Sequence, residues 1–94
     1  MIKRDNLLKK VGFYKTLEIL DEKGDGMTLR AFYEKLHESG SYNNAFHRVN
    51  DIMILKEIIE IYYGKVSPGV KKIKLTRKGM TIKQTLTALL ELME

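Results

Sequence analysis

No cysteine occurs anywhere in the 94 residues, and the single proline is Pro68. Disulfides and thiolate metal sites are therefore excluded, and the absence fits a reducing, intracellular setting. No apolar run approaches membrane-spanning length. The opening MIKRDNLLKK carries basic residues without the hydrophobic segment of a signal peptide. A soluble, cytoplasmic protein that does not engage a membrane is expected. The two histidines, His37 and His47, lie outside any usual metal-ligand spacing. No nucleophile–base set is recognisable, so neither enzyme activity nor a metal or cofactor is expected. Acid is missing from a whole segment as well. Between Ile61 and Leu90 stand Lys65, Lys71, Lys72, Lys74, Arg77, Lys78 and Lys83, with no aspartate or glutamate.

What is present suits a folded chain: 44% of residues are hydrophobic and 31% charged. The length fits one domain spanning residues 1–94. Net charge is +5, and it is unevenly placed, since residues 18–60 are mildly acidic. A basic segment on a small domain raises the odds of a nucleic-acid partner. The competing account is a solvated lysine face that only keeps the protein soluble.

The stretch DEKGDGMTLRAF, Asp21 to Phe32, has the outline of a twelve-residue calcium loop. Asp21, Asp25 and Gly26 match its positions 1, 5 and 6. Lys23, however, stands where the third position needs an oxygen, and Phe32 replaces the bidentate glutamate. A cation cannot help bind a cation and a phenyl ring has no lone pair, so the stretch is expected to be a turn leading into a helix.

From Leu7 to Glu22, Leu7, Val11, Tyr14, Leu17 and Leu20 recur every three to four residues, which predicts a helix with one buried stripe. Gly12 weakens its first half, placing its start beyond Leu7. Thr28 is placed to cap a second helix, about residues 29–38, with Phe32, Tyr33 and Leu36 inward. Ser39 and Gly40 break it. Ser41 or Asn43 is expected to cap a third helix, about residues 42–55, whose inward face is Ala45, Phe46, Val49, Ile52 and Met53. Tyr42, Asn44, His47, Arg48 and Asp51 fall mainly on its other side. EIIEIYYG and VKKIKLT then alternate as two strands around a loop marked by Gly64, Pro68 and Gly69. Of the second strand, Ile73 and Leu75 share one face and Lys72 and Lys74 the other. Thr76 is placed to cap a last helix, about residues 77–93, with Ile82, Leu86, Leu89 and Met93 as its stripe.

This order resembles the winged helix-turn-helix DNA-binding domain of small prokaryotic transcription regulators of the MarR-like and PadR-like kind. LTRKGM, Leu75 to Met80, is similar to their "L-T-x-x-G" step from the wing into the final helix, and GDGMTLRAFYEKL to their lead-in to the second helix. The resemblance covers roughly Phe13 to Met93 and implies an α+β fold: a three-helix core, a β-hairpin wing over about residues 57–76 and a C-terminal helix. One departure stands out. Such domains often carry glycine between the recognition helix and the wing, whereas here MILKEII puts Lys56 and Glu57 at that turn. A left-handed helix end is harder to form without glycine, so the helix is expected to run on or to end in a tighter turn.

The resemblance implies double-stranded DNA as partner, with the third helix in the major groove and the wing on phosphates or in the minor groove. Asn43, Asn44 and Arg48 have base-reading chemistry, and Tyr42 and His47 suit phosphates or bases. Thr28 at a helix N-terminus suits a phosphate. Lys65, Lys71, Lys72 and Lys74 would be the wing's contacts. Against this, Asn43 or Asn44 has a plainer use as a helix cap, and winged helices also serve as protein–protein adaptors within larger assemblies. Leu90 and Leu92 exceed the needs of one buried stripe, which points to a homodimer through the last helix, with a broad core face as the alternative.

Overall fold

The computed structural model describes residues 7–20, 26–65 and 69–94. A short 3-10 turn at Leu7–Lys9 precedes α1, Val11–Leu20. Then follow β1 (Met27–Thr28), α2 (Leu29–Glu38), α3 (Asn43–Leu55), β2 (Ile59–Tyr63), β3 (Lys71–Leu75) and α4 (Arg77–Leu92). The first helix begins beyond Leu7, as expected, but its buried side is turned from the expected stripe. Phe13, Thr16, Leu17, Ile19 and Leu20 are its buried side chains, whereas Val11 and Tyr14 are exposed. Its phase is set by Gly12, where a Cβ would lie 2.2 Å from the Ala45 carbonyl oxygen. Only hydrogen fits between the α1 and α3 backbones there, so Gly12 marks a helix crossing rather than a helix weakness. Asp21, Lys23 and Asp25 lie outside the described residues, but Phe32, the last position of the calcium-like stretch, is wholly buried.

The core is one cluster in which α2 and α3 meet through aromatic edges. Phe32 and Phe46 stand 4.8 Å apart in an edge-on arrangement, a geometry that contributes about 0.5–1.5 kcal/mol beyond burial alone. Leu36, Val49 and Met53 close around them, and Ile58, Ile59, Ile73 and Leu75 roof the cluster from the sheet. The sheet has three strands in the order β1-β3-β2, not the bare hairpin that alternation alone indicated. Two residues suffice for β1, too few for a period of two to register. It pairs antiparallel with β3, Met27 opposite Ile73 and Thr28 opposite Lys72. On β3 itself Ile73 and Leu75 point inward, and Lys72 and Lys74 stand on the other face.

The end of α3 answers the missing glycine. Glu57 adopts φ +59°, in the left-handed region. The Glu57 N–H donates to the Ile54 carbonyl at 2.9 Å and the Ile58 N–H to the Met53 carbonyl at 2.8 Å. These are the paired bonds of a Schellman end, and buried Ile58 and Met53 supply its apolar contact. The helix neither runs on nor tightens: glutamate takes the conformation usually left to glycine, at a cost of about 1 kcal/mol. Immediately beyond, the Thr76 hydroxyl donates toward the Glu57 and Ile58 carbonyls and accepts from the Gly79 N–H at 3.0 Å, capping α4. A Cβ on Gly79 would stand 2.1 Å from the Ile58 carbonyl oxygen. The L-T-x-x-G pattern thus has a physical cause: threonine for the cap and glycine for the close approach.

Because the strain at Glu57 is local and its side chain is exposed, Glu57→Gly is expected to stabilise the fold by about 0.5–1 kcal/mol. Urea denaturation reads this as a higher midpoint at unchanged slope. A lower midpoint would mean that the glutamate side chain contributes more than its backbone costs.

Candidate nucleic-acid interface

The turn between α2 and α3 is closed by backbone bonds. Ser41 N–H donates to His37 O at 3.0 Å and Tyr42 N–H to Leu36 O at 3.1 Å. Gly40 at φ +133° and Ser41 at φ +61° reverse the chain. The residue before α3 is Tyr42, and it makes no side-chain cap. Ser41, Asn43 and Asn44 therefore do not cap this helix, contrary to expectation. Ser41 is held left-handed in the turn, and Asn43 already lies within the first helical turn.

The candidate reading residues separate into two groups. Asn44, His47 and Arg48 are exposed on the outward face of α3, and Asp51 stands beside them. The flank residues are engaged elsewhere. Asn43 is half-buried and its Nδ2 donates to the Tyr33 carbonyl at 3.3 Å, tying α3 to α2. Tyr42 is half-buried against the core, with the Lys15 ammonium 4.9 Å from its ring centre. His47 keeps one side exposed while its ring lies 5.8 Å from that of Tyr33. Outside α3, Leu29, Arg30, Tyr33, Glu34, His37 and Glu38 line an open groove with Asn43. Arg30 and Glu34, one turn apart along α2, pair at 3.6 Å, which leaves that face without net positive charge.

Thr28 caps α2, its hydroxyl accepting from Ala31 N–H at 3.1 Å. That bond leaves the α2 N-terminus beside Lys72, the residue opposite Thr28 in the sheet. Register then brings the wing's polar face together: Tyr62 opposite Lys72, Glu60 opposite Lys74. Lys74 is the most committed of the four lysines. Its ammonium is 3.7 Å from the Glu60 carboxylate and 5.1 Å from the Tyr62 ring centre. Lys71 lies opposite Tyr63 near the loop, 5.9 Å from that ring, and Lys65 is exposed on the other side of the same loop. The alternation of Tyr62 and Tyr63 resolves as half-buried and exposed respectively.

These elements, a helix-turn-helix followed by a two-stranded wing and a closing helix, define a winged helix-turn-helix. Comparison agrees: a glycine-to-lysine mutant of S. aureus MepR is similar to this chain, with a TM-score of 0.66 and 22% identity. The match covers 96% of this chain and 61% of the MepR chain, so the likeness reaches about three-fifths of that protein's length and establishes the fold alone. No protein-family model and no curated protein matches the sequence. Among the described residues, no helix is long and apolar enough to cross a membrane.

Asn43→Ala is expected to act on stability, lowering it by about 0.5–1.5 kcal/mol through loss of the bond to Tyr33. Asn44→Ala, exposed and unengaged, should leave the urea midpoint unchanged. Equal midpoints for the two variants would return Asn43 to the group free to read a ligand.

Proposed function

We propose that the chain is a sequence-specific double-stranded DNA-binding regulator, acting as a homodimer in the cytoplasm. The observation that carries this is the outward face of α3. It presents an amide, an imidazole and a guanidinium at helical spacing, all exposed among the described residues. In a major groove Arg48 grips guanine through two acceptors, Asn44 pairs with adenine, and His47 bonds a base edge or phosphate. The N-terminus of α2 at Thr28 and the neighbouring Lys72 take a phosphate, and Lys65 and Lys71 take others along the wing. Asn43 and Tyr42 support α3 rather than read. No catalytic step or cofactor belongs to this function.

The dimer rests on α4. Its first half is anchored: Met80, Ile82 and Leu86 pack on the core, and the Lys83 ammonium donates to the Leu17 carbonyl at 2.8 Å. Its second half carries Leu89, Leu90, Leu92 and Met93, all between 51% and 84% exposed. Leu89 and Met93, expected in the buried stripe, find no core among the described residues of one chain, and Leu90 and Leu92 are the surplus positions. Leu8, Val11 and Tyr14 add exposed apolar surface at the start of the chain. A second copy that covers the end of α4 accounts for this surface, and the pairing spaces two reading helices for a palindromic site.

Two measurements test these statements. With Lys74 held by Glu60, three wing lysines remain for phosphates, so the slope of log affinity against log salt is expected near −2.7 per domain, or about −5.4 per dimer. Lys65→Ala with Lys72→Ala should flatten that slope by about 1.8 per domain. Arg48→Ala should instead cost roughly 1–3 kcal/mol on the preferred site and little on random duplex. Complete absence of a salt-sensitive shift with any duplex would favour the adaptor function, which the 83% exposed Leu55 at the end of α3 also suits.

Light scattering at about ten micromolar should give close to twice 10.9 kDa, and Leu90→Glu should halve that mass while leaving the fold intact. A monomeric parent chain would remove the dimer from the proposal.

A further inference from the structure

Resting on the DNA-binding function proposed above, we propose that Asp51 is a specificity-determining residue. Its carboxylate accepts from the amino group of a cytosine in the base pair next to the guanine held by Arg48. Asn44, Arg48, Asp51 and Leu55 follow one another along α3 at steps of four, three and four, a single outward line. Arg48 and Asp51 are both exposed, and among the described residues neither takes part in an ion pair or side-chain hydrogen bond. Three residues of helix rise about 4.5 Å, close to the ~3.4 Å step between stacked base pairs. The two side chains therefore address neighbouring pairs.

The carboxylate gives the fold nothing in return for its position. Aspartate is a poor residue for a helix interior. Near a duplex it repels phosphates, so it lowers affinity for DNA in general. One thing a carboxylate does in the major groove is accept from cytosine N4. A group that opposes binding everywhere except opposite one base raises discrimination by penalising the wrong sites.

Duplexes are selected from a random pool with the intact protein, and the selected site is then varied pair by pair. The expected result is a fixed C·G pair beside the guanine assigned to Arg48, whose replacement weakens wild-type binding roughly tenfold. Asp51→Ala should lose that dependence to within about twofold, and should bind random duplex a few-fold more tightly. Asp51→Asn should move the preference at that pair toward adenine, because an amide matches the adenine edge. Thermal melting confirms that both variants fold. If Asp51→Ala ranks the varied sites as the wild type does, or Asp51→Asn keeps the C·G preference, the role of Asp51 is overturned while DNA binding stands. If the wild type binds no duplex, both fall.

Discussion

The carbonyl of Ile58 is the point at which the chain is tied together. It accepts from the Thr76 backbone N–H at 3.0 Å and from the Thr76 hydroxyl at 3.1 Å, and it sits where any side chain at Gly79 would have to go. One residue earlier the left-handed Glu57 has ended α3, and the Ile58 N–H has returned to Met53. Four elements therefore share a single junction: the end of α3, the start of β2, the end of β3 and the start of α4. Buried carbonyls must be satisfied. Here the Thr76 N–H bonds the Ile58 carbonyl and the hydroxyl proton is shared between the Glu57 and Ile58 carbonyls, which fixes the angle at which the wing leaves α3 and the direction in which α4 departs. The Lys78 ammonium, 2.8 Å from the Lys56 carbonyl, fastens the same corner from outside.

From that corner the placement of α3 follows by packing. Its inward face is wedged by Phe46 against Phe32 and by the Gly12 crossing against α1, where the backbones touch with no room for a methyl group. A helix held at both flanks and at its C-terminus has no freedom to roll about its axis. The direction of its outward residues is thus decided by its inward ones. Asn43 contributes to this restraint rather than to the outward chemistry, because its amide donates across to α2. A residue type suited to reading bases is spent on holding α3 against α2.

The helices and the wing were legible in the sequence because their periods are long enough to register. Phe46, Val49 and Met53 announce α3, and the alternation of Lys72, Ile73, Lys74 and Leu75 announces β3. What escaped is short or depends on distant partners. Strand β1 has two residues, below the length at which alternation means anything. The phase of α1 was misread because Val11 and Tyr14 are apolar yet face out, while Gly12 and Thr16 face in; only the α3 backbone explains that choice. Glycine looked necessary after α3, but the left-handed cost is small enough for buried Ile58 and Met53 to offset it. At the candidate site, residue chemistry pointed to Asn44, His47 and Arg48, which the fold leaves exposed. It could not separate Tyr42 and Asn43 from them, since side-chain engagement belongs to tertiary contact rather than to composition. The pairing of Lys74 with Glu60 is likewise a product of strand register.

The charge distribution and the unpacked half of α4 bear on each other. The outward face of α2 balances Arg30 with Glu34, α3 balances Arg48 with Asp51, and one of four wing lysines is neutralised. A surface of this kind gathers little non-specific affinity from phosphates, because that term scales with the number of charges engaged. Low background attraction favours discrimination but leaves a single domain weakly bound. In the proposed dimer, joining two domains through α4 makes the second contact intramolecular, at an effective concentration in the millimolar range for a short connection. On the proposed function, affinity arises from the pairing of domains and selectivity from the nearly neutral face of α3. The apolar residues at the end of α4 find no core among the described residues of one chain. In the proposed dimer they supply the element that a near-neutral reading face requires.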